Sequence, residues 1–103
     1  MSARIEALTQ MLAQDPANTF ARYGLAMAHL GEDRAEDALR EFQTLLEKNP
    51  DYAAAYFHGG RALESLHRID EARDLYQRGI AVTTRTGDAH TRSELQAALD
   101  ILG

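Results

Sequence analysis

The chain has 103 residues, of which 45% are apolar and 26% charged, which fits one domain with a real core and excludes a disordered tail. A formal net charge of −5 argues against nucleic acid and anionic membrane as partners, because both demand basic surface. Cysteine is absent, which removes disulfides, thiolate metal sites and cysteine nucleophiles, and no window approaches the roughly 18 apolar residues of a membrane span.

The elements follow in chain order. Met1 to Glu6 contain no apolar run of signal-peptide length, so the chain is expected to be soluble and cytoplasmic. Ile5, Leu8, Met11 and Leu12 mark one face of a first helix, which Asp15-Pro16 ends. A second helix is predicted over about 18–30, closed by Gly31. The third covers roughly 35–48, with Glu36 and Asp37 at its positive end and Lys48 at its negative end. Asn49-Pro50 resets the chain for a fourth helix over about 52–66. A fifth starts at Ile69 or Asp70 and ends near Val82. The low helix propensity of 83–88 predicts the longest loop there. The last helix starts between Asp88 and Thr91, where Thr91-x-x-Glu94 fits a capping box, and Leu95, Ala98, Leu99 and Leu102 form its apolar stripe.

The helices repeat. Pro16 and Pro50 lie 34 residues apart, and the same shift superposes Ala21 on Ala55, Ala28 on Ala62, Arg34 on Arg68, Ala38 on Ala72 and Gln43 on Gln77. Tyr23 with Phe57, Phe42 with Tyr76 and Leu46 with Ile80 keep that register. Such a period marks stacked supersecondary units.

The second unit reads Tyr56-x2-Gly59-Gly60-x2-Leu63, then Ala72-x3-Tyr76. The first reads Arg22-x2-Leu25-Ala26-x2-His29, then Ala38-x3-Phe42, then Pro50. Over about residues 2–84 this resembles the tetratricopeptide repeat, whose pattern is W-x2-L-G-x2-Y, A-x3-F and P. Small residues at Ala26, Ala38, Gly60 and Ala72 let antiparallel helices approach, while Phe42, Tyr56 and Tyr76 fill the space between pairs. Arg22 and His29 depart from the pattern, standing where the family prefers Trp and Tyr. The resemblance implies an all-α solenoid of antiparallel helix pairs in one domain spanning 1–103. Its parts would be an N-terminal half repeat (2–15), two full repeats (19–52 and 53–86) and a capping helix (88–102).

The resemblance also implies a ligand on the concave side, formed by the first helix of each pair. The residues add an argument of their own. The second helix carries a surplus apolar stripe, Phe20, Tyr23, Met27 and Leu30. The matching stripe of the fourth helix reads Ala54, Phe57, Arg61 and Glu64, with His58 beside it, and Arg92 extends the basic end. A groove that is apolar at one end and basic at the other suits a peptide or protein segment with apolar and acidic residues. Some family members clamp acidic chaperone tails at positions that correspond here to Tyr23, Met27, His58, Asp88 and Arg92. Only Arg92 suits a carboxylate, so that specialised role is not expected.

No catalytic, cofactor or metal site is expected. His29, His58, His67 and His90 include no i, i+4 pair and no HExxH motif. His29 is expected in the core and the other three in solvent. Ser2, Ser65 and Ser93 lack a nucleophile setting, and Gly59-Gly60 lies inside a helix rather than in a phosphate loop. The leading reading is a protein-interaction scaffold. Self-association into a homo-oligomer is the alternative, and an enzyme survives only if a site forms between chains.

Overall fold

A computed structural model describes residues 2–103. Among these, six helices run in order: α1 (Ala3–Gln14), α2 (Thr19–Gly31), α3 (Ala35–Lys48), α4 (Ala53–Ser65), α5 (Ile69–Thr86) and α6 (Ala89–Leu102), with no strand. Helices α2 and α4 have bounds offset by the 34-residue period at both ends, and α3 and α5 start in the same register. Ser2, Asn18 and Asp88 cap α1, α2 and α6 by accepting from the backbone N–H three residues on. Asp88 therefore takes the role that the Thr91–Glu94 box was expected to play.

Each helix packs antiparallel on the next, and two apolar clusters result. The larger joins α2 through α6 around Phe42, Tyr56 and Tyr76; the smaller holds α1 to α2 through Ile5, Leu12, Ala21 and Leu25. Small residues set the spacing. Ala26, Ala38, Ala62 and Ala72 have no exposed surface, and a Cβ at Gly79 would sit 2.6 Å from Tyr56 Cβ.

Two further local expectations are corrected. Helix α5 continues through the stretch expected as a loop and ends at Thr86, with Gly87 left-handed at φ 80°. Thr83 is buried and its hydroxyl donates to the Gly79 carbonyl at 2.8 Å, while Thr84 donates to Ile80. Burial and these internal bonds outweigh the weak propensity of threonine. Gly31 is the last residue of α2, not its left-handed cap; Asp33 takes that conformation at φ 57° and His67 repeats it at φ 59°, 34 residues later. At both turns the following arginine N–H reaches back five residues, Arg34 to His29 and Arg68 to Leu63. This closes a Schellman motif without glycine. We expect His67→Gly to raise stability by about 0.5–1 kcal/mol in urea unfolding, because the exposed histidine carries left-handed strain that glycine lacks.

Arg22, the departure from the family pattern, has a role of its own. Its Nη2 donates to the Pro16 carbonyl at 3.0 Å, and its Nη1 pairs with Glu41 of α3 at 2.7 Å. One period later the Tyr56 hydroxyl donates to the Pro50 carbonyl at 2.6 Å. The guanidinium thus replaces an aromatic hydroxyl as the donor to the proline carbonyl and adds an ion pair between α2 and α3. His29 is buried as expected, though its Nδ1 has no hydrogen-bond partner.

Candidate interaction surface

The first helices of the pairs form a continuous wall: α2 touches α4 and α4 touches α6. On the opposite side no Cα of α3 lies within 8 Å of one in α5. A stack that is closed on one side and splayed on the other curves toward the closed side, so α2, α4 and α6 line the concave face.

An aromatic cluster occupies this wall. The Tyr23 ring of α2 lies 5.2 Å from Tyr52 and 6.2 Å from His58 of α4, and 6.3 Å from Phe42 beneath. Phe57 meets His58 edge-on at 5.1 Å, and the Arg61 guanidinium stands 5.9 Å from the Phe57 ring centroid. Tyr23, Phe57, His58 and Arg61 are therefore brought together as one surface. Tyr52 belongs to the same surface and was not anticipated. The sequence places it at the start of the fourth helix, off the stripe of Ala54, Phe57, Arg61 and Glu64, and in the structure it is the residue before α4; its pairing with Tyr23 depends on how the two repeats stack.

The other candidates are placed differently. Met27 and Leu30 are half-buried against the main core. Phe20 is 77% exposed, at the N-terminal turn of α2. Glu64 is half-buried and accepts a hydrogen bond from the Tyr76 hydroxyl, which ties it to the core side of α4. Desolvation and this bond together push the Tyr76 pKa far upward. Arg92 is exposed on α6. Arg61 and Arg92 have no ion-pair partner among the described residues, whereas the other concave carboxylate, Glu94, lies 3.6 Å from His90. Asp88 is occupied in capping α6, and the same backbone bond from Thr91 holds its pKa down.

His58 departs from the expectation that it would be solvated. It is half-buried, nearly parallel to the Phe42 ring at 6.4 Å, and faces Tyr23, Phe57, Arg61 and, from α6, Glu94. Burial lowers its pKa below the usual 6.5; Glu94 opposes that shift and Arg61 assists it. The unfolded chain then binds the proton more readily. The stability contributed by neutral His58 is complete above pH 6.5 and is lost as pH falls from there through the depressed folded-state value. Melting temperatures measured across that window should fall with pH, and His58→Phe should flatten this part of the curve.

A family description for the tetratricopeptide repeat matches residues 23–90, most of the wall and both α3 and α5. The chain belongs to the tetratricopeptide-repeat family. Proteins of this family generally mediate protein–protein interaction and are typically non-catalytic scaffolds. A TPR repeat-containing protein of Pseudomonas aeruginosa is 30% identical over 95 residues, which cover 92% of this chain and 90% of that one. A tetratricopeptide-repeat domain protein of Salinibacter ruber superposes with a TM-score of 0.78 at 42% identity, covering 82% of this chain and 94% of its own. A protein of Bordetella parapertussis gives a TM-score of 0.86 at 29% identity, covering 99% and 89%. No helix among the described residues of this tetratricopeptide-repeat protein is long and apolar enough to cross a membrane.

Proposed function

We propose that this tetratricopeptide-repeat protein holds a peptide or protein segment in its concave face, with the cytoplasm as its expected compartment. The observation that carries the reading is the aromatic surface of Tyr23, Tyr52 and Phe57 with the unpaired Arg61 above it. Tyrosines with half-exposed rings and one free guanidinium are the side chains that dominate binding energy at interfaces. Glu64 turns its carboxylate to Tyr76, which leaves Arg61 and Arg92 without an ion-pair partner on a wall whose other carboxylate, Glu94, sits beside His90. The segment that fits has an apolar or aromatic side chain followed by a carboxylate. Phe20, Met27 and Leu30 would extend the apolar end.

The test is a peptide-display selection followed by variants. Tyr23→Ala with Phe57→Ala is expected to weaken the selected peptide at least tenfold, or more than about 1.4 kcal/mol, with melting little changed. A melting drop of core-mutant size would show that the two rings hold the fold instead. A second reading, self-association, rests on Phe20 and on Ile101, which is 85% exposed at the end of α6. Light scattering across a wide concentration range decides it: a mass that stays monomeric removes that reading.

A further inference from the structure

The convex side carries a cleft that the concave reading does not use. Because α3 and α5 stand apart, the gap between them is a cavity of about 690 Å³. Its floor is apolar, made by the edges of Leu39 and Leu46 from α3, Leu63 from α4 and Leu75 from α5. Its two rims are acidic. Glu47 lines it from α3 with no ion-pair partner among the described residues, and Asp74 lines it from α5 with only Arg78 near, at 4.0 Å. Arg78 is the one cation lining the cleft, and its guanidinium carbon lies 5.8 Å from the Tyr56 ring centroid. Asp70 and Glu71 add two further carboxylates, each held by an arginine on its own helix or cap. An apolar slot flanked on both sides by carboxylates is complementary to an apolar side chain flanked by cations.

We propose that the α3–α5 cleft is a second docking face, for a lysine- or arginine-bearing segment of a partner protein that seats one leucine-sized side chain between Glu47 and Asp74. The two faces then have opposite electrostatic preference. The concave wall takes an acidic segment, the convex cleft a basic one, and the short array can hold two different chains at once. The two sites are distinct, since none of Tyr23, Tyr52, Phe57, His58 and Arg61 lines the cleft.

The test is an NMR titration of the isotope-labelled full chain with a capped leucine–lysine peptide of helical spacing, and separately with its leucine–glutamate counterpart. The lysine peptide is expected to shift the amides of Gln43, Glu47, Asp74 and Arg78, and the glutamate peptide to leave them unmoved. Glu47→Lys with Asp74→Lys should weaken the lysine peptide roughly tenfold with the helical circular dichroism unchanged, while Gln43→Glu should tighten it. Shifts spread over every acidic surface, shifts centred on Tyr23 and Phe57, or a double variant within about twofold of the parent would each overturn the proposal. Those outcomes leave the display experiment on the concave face independent, because its readout is an acidic peptide and the Tyr23 and Phe57 variants.

Discussion

Gly60→Ala is expected to lower stability by about 3 kcal/mol or more, although alanine is the better helix former by about 1 kcal/mol. A Cβ at this position would lie 2.6 Å from Tyr76 Cζ and nearer still to Cε1. The ring has nowhere to go. Tyr76 has no exposed surface, and its hydroxyl is bonded to Glu64 on the same helix as Gly60. Separating α4 from α5 would disturb the largest helix contact in the protein. For a domain of this size the midpoint should fall by roughly 12–24 °C, at about 4–8 °C per kcal/mol. Gly31→Ala is the control, because nothing lies within 4 Å of its Cβ position and its φ is not positive. That change should raise stability by about 0.5–1 kcal/mol. If thermal melts show the two alanines to be alike, the close approach of α4 to α5 at Gly60 is wrong.

Phe42→Ala should cost about 3–5 kcal/mol, the usual range for emptying a fully buried phenylalanine site. Phe42 has no exposed surface and sits where the two repeats meet, under Tyr23 and beside His58. The cavity would open beneath the aromatic wall, so the effect is expected to reach the surface. At a temperature where the variant is still folded, capture of the display-selected peptide should also weaken. Phe57→Ala supplies the contrast: it is half-buried at the surface, so its removal should cost capture while altering urea unfolding by less than about 1 kcal/mol. Equal losses of stability for Phe42 and Phe57 would mean that the wall has no separate core beneath it.

Helix placement was largely legible because its signals are local. Apolar spacing, the Asp15-Pro16 and Asn49-Pro50 breaks, and the 34-residue recurrence all lie within a few turns of the residues they organise. The family pattern is legible for the same reason, since its small residues and aromatics recur at set offsets. Even the candidate wall was partly visible: Tyr23, Phe57, His58 and Arg61 come together on adjacent helices.

The remainder was settled by contacts between residues far apart in the chain. Thr83 extends α5 because it is buried, which outweighs a propensity that alone predicts a loop. Asp33 and His67 adopt left-handed backbone because each helix hairpin must close in three residues, and that geometry is imposed by packing rather than by residue type. Tyr52 joins Tyr23, and Glu64 is turned to Tyr76, only once the repeats are stacked. The acidic cleft exists because α3 and α5 are held apart by a wall that closes on the other side. The sequence by itself determined the number and order of the helices, their period and the family. Tertiary structure decided which polar and aromatic side chains gather on the concave wall and which turn to the core, because exposure belongs to the stacking of helices and not to any one of them.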